Sequence, residues 1–208
     1  MTRGVDHRPV LEAVVLAAGS ARRFGGGKLV AQFAGGALLD GALAAAFAAP
    51  VRSVTVVTGA DAPAVEAAAR AFGARTGNAE RLRVVHASDH AEGMAASLRA
   101  GIASLRLDVA GAFVFLGDMP RVPDGLPAAL AQALASGAAA AAPTFRGKRG
   151  NPALMDRSLF PALLGLRGDR GARAILDALG DRLALVEAAD DGVLFDVDEP
   201  GDLGRHPG

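Results

Sequence analysis

Lys28, Asp118 and the pair Asp196 and Asp198 are the residues of this 208-residue chain whose types and settings could do chemistry together. Lys28 closes the loop Gly19-Ser20-Ala21-Arg22-Arg23-Phe24-Gly25-Gly26-Gly27, which follows a short apolar run ending at Leu16, Ala17 and Ala18. A buried strand that stops at a glycine-rich loop presents backbone N–H groups outward, where phosphate oxygens can take them. Arg23 and Lys28 supply the countercharge. Asp118 stands just past a second apolar run, Phe113 to Leu116, between Gly117 and the turn-fixing Pro120. A carboxylate so placed suits Mg²⁺, which takes one or two carboxylates and completes its shell with phosphate oxygens and water. Asp196 and Asp198 flank Val197; on a strand both would face one side, where like charges repel unless solvated or bridged by a cation. The chemistry these residues suggest is that of a polyphosphate and a divalent cation.

Two common phosphate loops are not written here. A Walker A loop would need a glycine where Arg22 stands and a hydroxyl where Leu29 stands. The dinucleotide fingerprint fails at once, because Gly19 is followed by Ser20 and Ala21. Composition narrows the classes further. Net charge is zero, and nine phenylalanines are the whole aromatic complement, so neither a basic footprint nor stacking platforms for nucleic acid are present. With no cysteine, disulfides, thiolate metal sites and Cys nucleophiles are excluded. The histidines His7, His86, His90 and His206 are not at metal-ligand spacing, and His90 reads as a surface residue. Lysine is nearly abandoned for arginine; only Lys28 and Lys148 remain, and a compact ammonium against phosphate is a reason to keep the first. No apolar run approaches the ~18 residues of a membrane span, and a polar start without a signal-peptide core predicts a cytoplasmic protein with no membrane contact.

Positioning these residues calls for an alternation of strands and helices. Apolar runs at 13–17, 53–58, 82–86, 111–116 and 138–144 read as strands, and 38–48, 61–72, 93–105 and 126–136 as helices, with Asp61 a good N-cap. That rhythm predicts βαβ units and a mostly parallel sheet covered on both faces, with ligands at the carboxyl ends of the strands. Later, 153–155, 183–186 and 193–197 read as strands and 158–166 and 172–179 as short helices. Residues 1–9 are expected to form a tail and 10–208 a single domain, with a lobe at about 145–190 whose basic loop carries Lys148, Arg149, Gly150 and Asn151.

Five segments in register resemble one family. Leu16-Ala17-Ala18-Gly19 with Arg23, Phe24, Gly25 and Lys28; Gly93-Met94-Ala95-Ala96-Ser97-Leu98; Leu116-Gly117-Asp118-Met119-Pro120; Phe145 to Pro152; and Asp196-Val197-Asp198-Glu199-Pro200-Gly201-Asp202-Leu203 are similar to the signatures of NTP transferases related to molybdenum cofactor cytidylyltransferases and molybdopterin-guanine-dinucleotide synthases. Ala21 departs from the pattern, where Ser or Gly is more usual. The resemblance implies a nucleotide-diphospho-sugar-transferase-like (Rossmann-like) three-layer α/β domain. It implies transfer of a nucleotide from an NTP to the phosphate of molybdopterin, with Mg²⁺ as cofactor and transient contact with a molybdoenzyme or its chaperone. Carried over residue by residue, Leu16 to Ser20, Arg23, Lys28, Ser97 and Asp118 would bind the nucleotide. Arg23, Lys28 and Asp118 would be catalytic, and Asp118 with Asp198 or Asp196 would hold the metal; the proline turn favours Asp198. Lys148 to Asn151 would hold the acceptor. Ser97 could equally be a helix residue bonded to its own backbone. Ala18 favours CTP over GTP, since the guanylyl branch more often carries glycine there. A guanylyltransferase, and a non-catalytic cofactor-delivery protein, stay open at this point.

Overall fold

Pro9 leads into the strand that the rest of the sheet is built around, β1 (Leu11–Ala17), in a computed structural model that describes residues 9–21 and 24–204. The expected tail therefore lies almost wholly outside the described residues. Short β2 (Gln32–Phe33) and β3 (Gly36–Ala37) pair as a small antiparallel hairpin, which the sequence reading did not anticipate. Then follow α1 (Leu38–Ala48), β4 (Val54–Thr58), α2 (Ala62–Arg75), β5 (Leu82–His86), α3 (Met94–Ala103), β6 (Gly111–Leu116) and α4 (Leu126–Ala135). The rest of the chain forms β7 (Ala140–Phe145), β8 (Lys148–Arg149), β9 (Ala153–Asp156), α5 (Phe160–Leu164), α6 (Arg173–Asp177) and β10 (Leu183–Glu187).

Among the described residues the main sheet has eight strands, running β10-β7-β9-β6-β1-β4-β5 with β8 paired to β7. β1 pairs in parallel with both β4 and β6, and β4 with β5; β9 runs antiparallel between β6 and β7. The chain thus moves outward from β1 to β4 and β5, then crosses back to lay β6 on the other side of β1. Such a reversal opens a crevice at the carboxyl ends of the strands. The register makes those ends level, because Ala17 faces Thr58, Leu16 faces Leu116 and Thr58 faces His86.

Alternation along β1 supplies both layers. Ala13, Val15 and Ala17 face the cluster formed with α1, α2 and α4, while Val14 faces Val57 and Ala87 on the side of α3. A third cluster joins Leu98 and Ile102 of α3 to Leu163 and Leu176 of the short helices. The expected three-layer α/β architecture with a mostly parallel sheet is what the chain adopts.

One expectation is overturned. The segment 193–197 is not a strand: Asp191–Leu194 is a 3-10 turn and the following residues run without a ladder among the described residues. The reason is geometric. Val193 carbonyl accepts from Asn151 N at 2.9 Å, and Val197 N donates to Asp118 carbonyl at 3.1 Å, so this stretch threads between two loops instead of joining the sheet.

Gly41 shows how tightly the fold fixes the crevice. A Cβ there would lie 2.3 Å from the carbonyl oxygen of Pro120, so α1 approaches the Asp118–Pro120 turn with no room for a methyl group. Gly41→Ala should lower stability by about 1–3 kcal/mol through overpacking, read as a lower midpoint in urea. An unchanged midpoint would mean that this contact does not fix the turn.

Candidate functional site

Each loop at the carboxyl ends brings one part of the site. The loop after β1 carries Gly19 and Ser20 and returns through Gly25, Gly26 and Gly27 to Lys28, which opens a 3-10 turn, Lys28–Val30. Its return is closed on itself, with Ala21 carbonyl accepting from Phe24 N at 3.0 Å and Gly26 N at 3.2 Å. Gly27 takes a left-handed φ of 64°, which glycine adopts without strain. Lys28 then points back toward the end of β6. Its Nζ donates to Asp118 Oδ2 at 2.8 Å and lies 3.8 Å from Asp198 Oδ1.

Asp118 comes from the turn after β6, and Asp198 from the C-terminal segment that Val197 ties to that turn. Asp202 pins the second carrier: its Oδ2 accepts from Asp198 N at 3.1 Å and Glu199 N at 3.0 Å. The side chain of Lys28 is only 12% exposed, against 28% for Asp118 and 54% for Asp198. One ammonium therefore sits, well shielded, between two carboxylates that still reach solvent.

Asp196 belongs to the same cluster although it lies on no strand. Its pKa is raised above the ordinary carboxylate value, first by burial of the carboxyl end, then by the negative charges of Asp198 and Asp118, with Lys28 opposing. Three carboxylates thus gather near Lys28, and hard oxygen donors of this kind suit a divalent cation. No group of three or more metal-ligating side chains in ready coordinating geometry occurs among the described residues. The fit is therefore to a cation that takes part of its shell from phosphate and water.

A cavity of about 660 Å³ opens over this cluster and is lined by Ala18, Gly19, Ser20, Lys28, Ser97 and Asp118, among others. Ser97, on the first turn of α3, is 6% exposed. Leu16 also lines it, whereas Ala17 lies behind, in a small recess with Leu29 and Asp61. His90, read from sequence as a surface residue, is half-buried on this wall, with its ring 5.9 Å from that of His86. The turn that bears it is held by Arg99, whose guanidinium bonds Asp89, Glu92 Oε2 at 3.1 Å and Leu166 carbonyl at 2.9 Å. Arg23 lies outside the described residues.

A second cavity, about 250 Å³, adjoins the first through Leu16, Met94 and Leu116, which line both. Arg149, Gly150, Asn151 and Arg173 line its far side. Arg149 is steered there by Asp177 at 2.7 Å. Lys148 is exposed and does not line this cavity. In the short β7–β8 hairpin it pairs with Phe145 while Arg149 pairs with Thr144, so the two neighbours face opposite ways. Sequence reasoning passed over Asp61. It was read as an N-cap, but its carboxylate makes no capping bond and Oδ2 accepts instead from Gly27 N at 3.1 Å.

A crevice built in this way, at the reversal of a parallel sheet and opening on a lysine between carboxylates, defines a nucleotidyltransferase. Residues 13–183 match the MobA-like NTP transferase domain, and the chain belongs to that family. It is similar to the purine catabolism protein PucB of Bacillus subtilis (strain 168), at 31% identity over 92% of this chain and 93% of that one. Among solved structures it is similar to Rv0371c from Mycobacterium tuberculosis H37Rv, at 26% identity and a TM-score of 0.76, covering 94% of this chain and 96% of that one. The 4-diphosphocytidyl-2C-methyl-D-erythritol synthase from Anaerococcus prevotii shares the fold, at 14% identity and a TM-score of 0.75 over 97% of this chain and 96% of that one.

The raised pKa of Asp196 has a sign that can be checked. The folded chain holds this proton more tightly than the unfolded chain does. The group therefore favours folding below the ordinary carboxylate pKa, and that contribution is lost as pH rises through the raised value. Asp196→Asn should accordingly raise Tm at pH 7 relative to the parent, with the gain shrinking as the pH falls through the raised value and gone below about 4. A variant less stable than the parent at pH 7 would contradict the assigned crowding of charge.

Proposed function

We propose that the protein transfers CMP from CTP to the terminal phosphate of molybdopterin and releases pyrophosphate. The observation that carries the reading is Lys28 Nζ at 2.8 Å from Asp118 and 3.8 Å from Asp198, under a cavity that runs into a second, arginine-lined one. The first cavity has the backbone loop, lysine and carboxylates that a triphosphate with its cation needs. The second has Arg149 and Arg173, cations suited to an acceptor that bears phosphate.

An oxygen of the acceptor phosphate attacks the α-phosphorus. The new P–O bond forms as the bond from that phosphorus to the α–β bridging oxygen breaks, and pyrophosphate leaves with the electron pair. No protein nucleophile is needed; positioning and charge neutralisation carry the step. Backbone N–H groups at Gly19 to Ala21 and the Ser97 hydroxyl orient the nucleotide, while Lys28, with Arg23, neutralises the triphosphate and the departing charge. Arg149 and Asn151 hold the acceptor phosphate in line.

Asp118 and Asp198 are the residues that would hold Mg²⁺, with Asp196 beside them. When bound, the ion would supply Lewis-acid neutralisation of phosphate oxygens. A related structure, Rv0371c from Mycobacterium tuberculosis H37Rv, has been solved in complex with manganese. Preference for cytosine rests on Ala18 and the family resemblance, and a cytoplasmic setting with delivery to a molybdoenzyme or its chaperone follows from the same reading.

Purified protein with Mg²⁺ and molybdopterin-bound molybdenum should release pyrophosphate with CTP in preference to GTP, ATP or UTP. Asp118→Ala should cut that rate about 10²–10³-fold while remaining folded. Release with GTP alone would move the assignment to guanylyl transfer. Full activity of Asp118→Ala would remove this carboxylate from the metal site.

A further inference from the structure

The loop after β4 carries an aspartate whose side chain does something other than its position suggests. Asp61 is the N-cap residue of α2, and Asp is among the best residue types for closing a helix start. Its carboxylate makes no capping bond. Oδ2 instead accepts from the backbone N–H of Gly27 at 3.1 Å, across a sequence separation of 34 residues. The same short loop touches the start of the phosphate loop as well, through Ala60 N to Ala18 carbonyl at 3.4 Å. The β4–α2 loop therefore braces both ends of the stretch from Ala18 to Gly27.

Gly27 is the last residue before Lys28, and three consecutive glycines, Gly25 to Gly27, all at positive φ, precede that lysine. Such a segment has large conformational freedom and would swing Lys28 with it unless it were tied down. Within the loop, Ala21 carbonyl ties Phe24 and Gly26 but not Gly27. The tie from Asp61 falls on that residue. Asp61 also lines the small recess behind the loop together with Lys28 and Asp118, so it stands beside the cluster without being part of the lysine–carboxylate pairing.

We infer that Asp61 is a positioning residue, which fixes the Gly25–Gly27 hinge through the Gly27 N–H and so sets the reach of Lys28 toward the triphosphate and Asp118. The inference rests on the reading of Lys28 as the triphosphate-holding cation. What matters in Asp61 is an acceptor oxygen at that place, not its charge. Asn offers the same oxygen, and Ala offers none.

The test compares Asp61→Ala and Asp61→Asn with the parent in two measurements. The first needs no activity. Lys28 and Lys148 are the chain's only lysines, so acylation by an N-hydroxysuccinimide ester can be followed at each by peptide mass spectrometry. In the parent, Lys28 should react slowly and the exposed Lys148 fast. Asp61→Ala should raise the Lys28 rate several-fold and leave Lys148 unchanged, and Asp61→Asn should restore the slow rate. The second is pyrophosphate release from CTP, where Asp61→Ala should lower kcat about tenfold or more with a smaller change in KM, and Asp61→Asn should recover most of it. Parent-like Lys28 labelling in a folded Asp61→Ala protein would overturn the inference. So would failure of Asp61→Asn to rescue the labelling, since a charge and not an acceptor would then be at work. A parent that labels as expected yet turns over no NTP would leave the tie standing and remove the proposed reaction instead.

Discussion

Everything in the crevice depends on one ammonium held between two carboxylates. Lys28 comes from the loop after the central strand, Asp118 from the turn after its neighbour, and Asp198 from the far end of the chain. No two of the three belong to the same element, so their meeting is a statement about the whole fold. β1 and β6 must pair in register to bring their ends level, and the C-terminal segment must dock on the Asp118 turn through Val197. Asp196 stands beside them, its pKa raised first by burial and then by the negative charges of Asp198 and Asp118. A lysine and hard carboxylate oxygens at one point suit a polyphosphate and a divalent cation taken up together.

The supporting shell is as specific as the cluster. Gly41 lets α1 close on Pro120; Asp202 holds the turn that carries Asp198; Asp177 aims Arg149 into the adjoining cavity; Arg99 ties the turn bearing His90 to the segment before Gly168. These contacts come from residues that do not face the ligand space themselves. They fix side chains that do, and fractions of an ångström at such positions decide whether reacting groups align.

Much of this was legible in the sequence because it depends on local pattern. Short β-branched runs ending at Gly19 and Gly117 mark strand ends, and strand ends in a parallel sheet are where ligands bind; that placed Lys28 and Asp118 on one rim. The helices and the parallel core followed from the same alternation. Other features were not legible, and three of them show the non-local reason. The segment 193–197 has a strand's composition, but its hydrogen bonds go to Asn151 and Asp118, partners that only the folded chain supplies. Asp61 has an N-cap's residue type and position, so nothing in the sequence distinguishes a carboxylate that caps from one that reaches Gly27. Lys148 and Arg149 are adjacent and alike in charge, and only the hairpin register turns one into the cavity and the other to solvent.

The measurement that bears most directly on the account is Mn²⁺ binding followed by electron paramagnetic resonance, with and without CTP, on the parent protein and on Asp118→Asn. The cluster of Lys28, Asp118 and Asp198 should take the ion weakly by itself and much more tightly with CTP present, and Asp118→Asn should lose that enhancement. Equal enhancement in Asp118→Asn would place cation and triphosphate elsewhere and contradict the site described for this crevice.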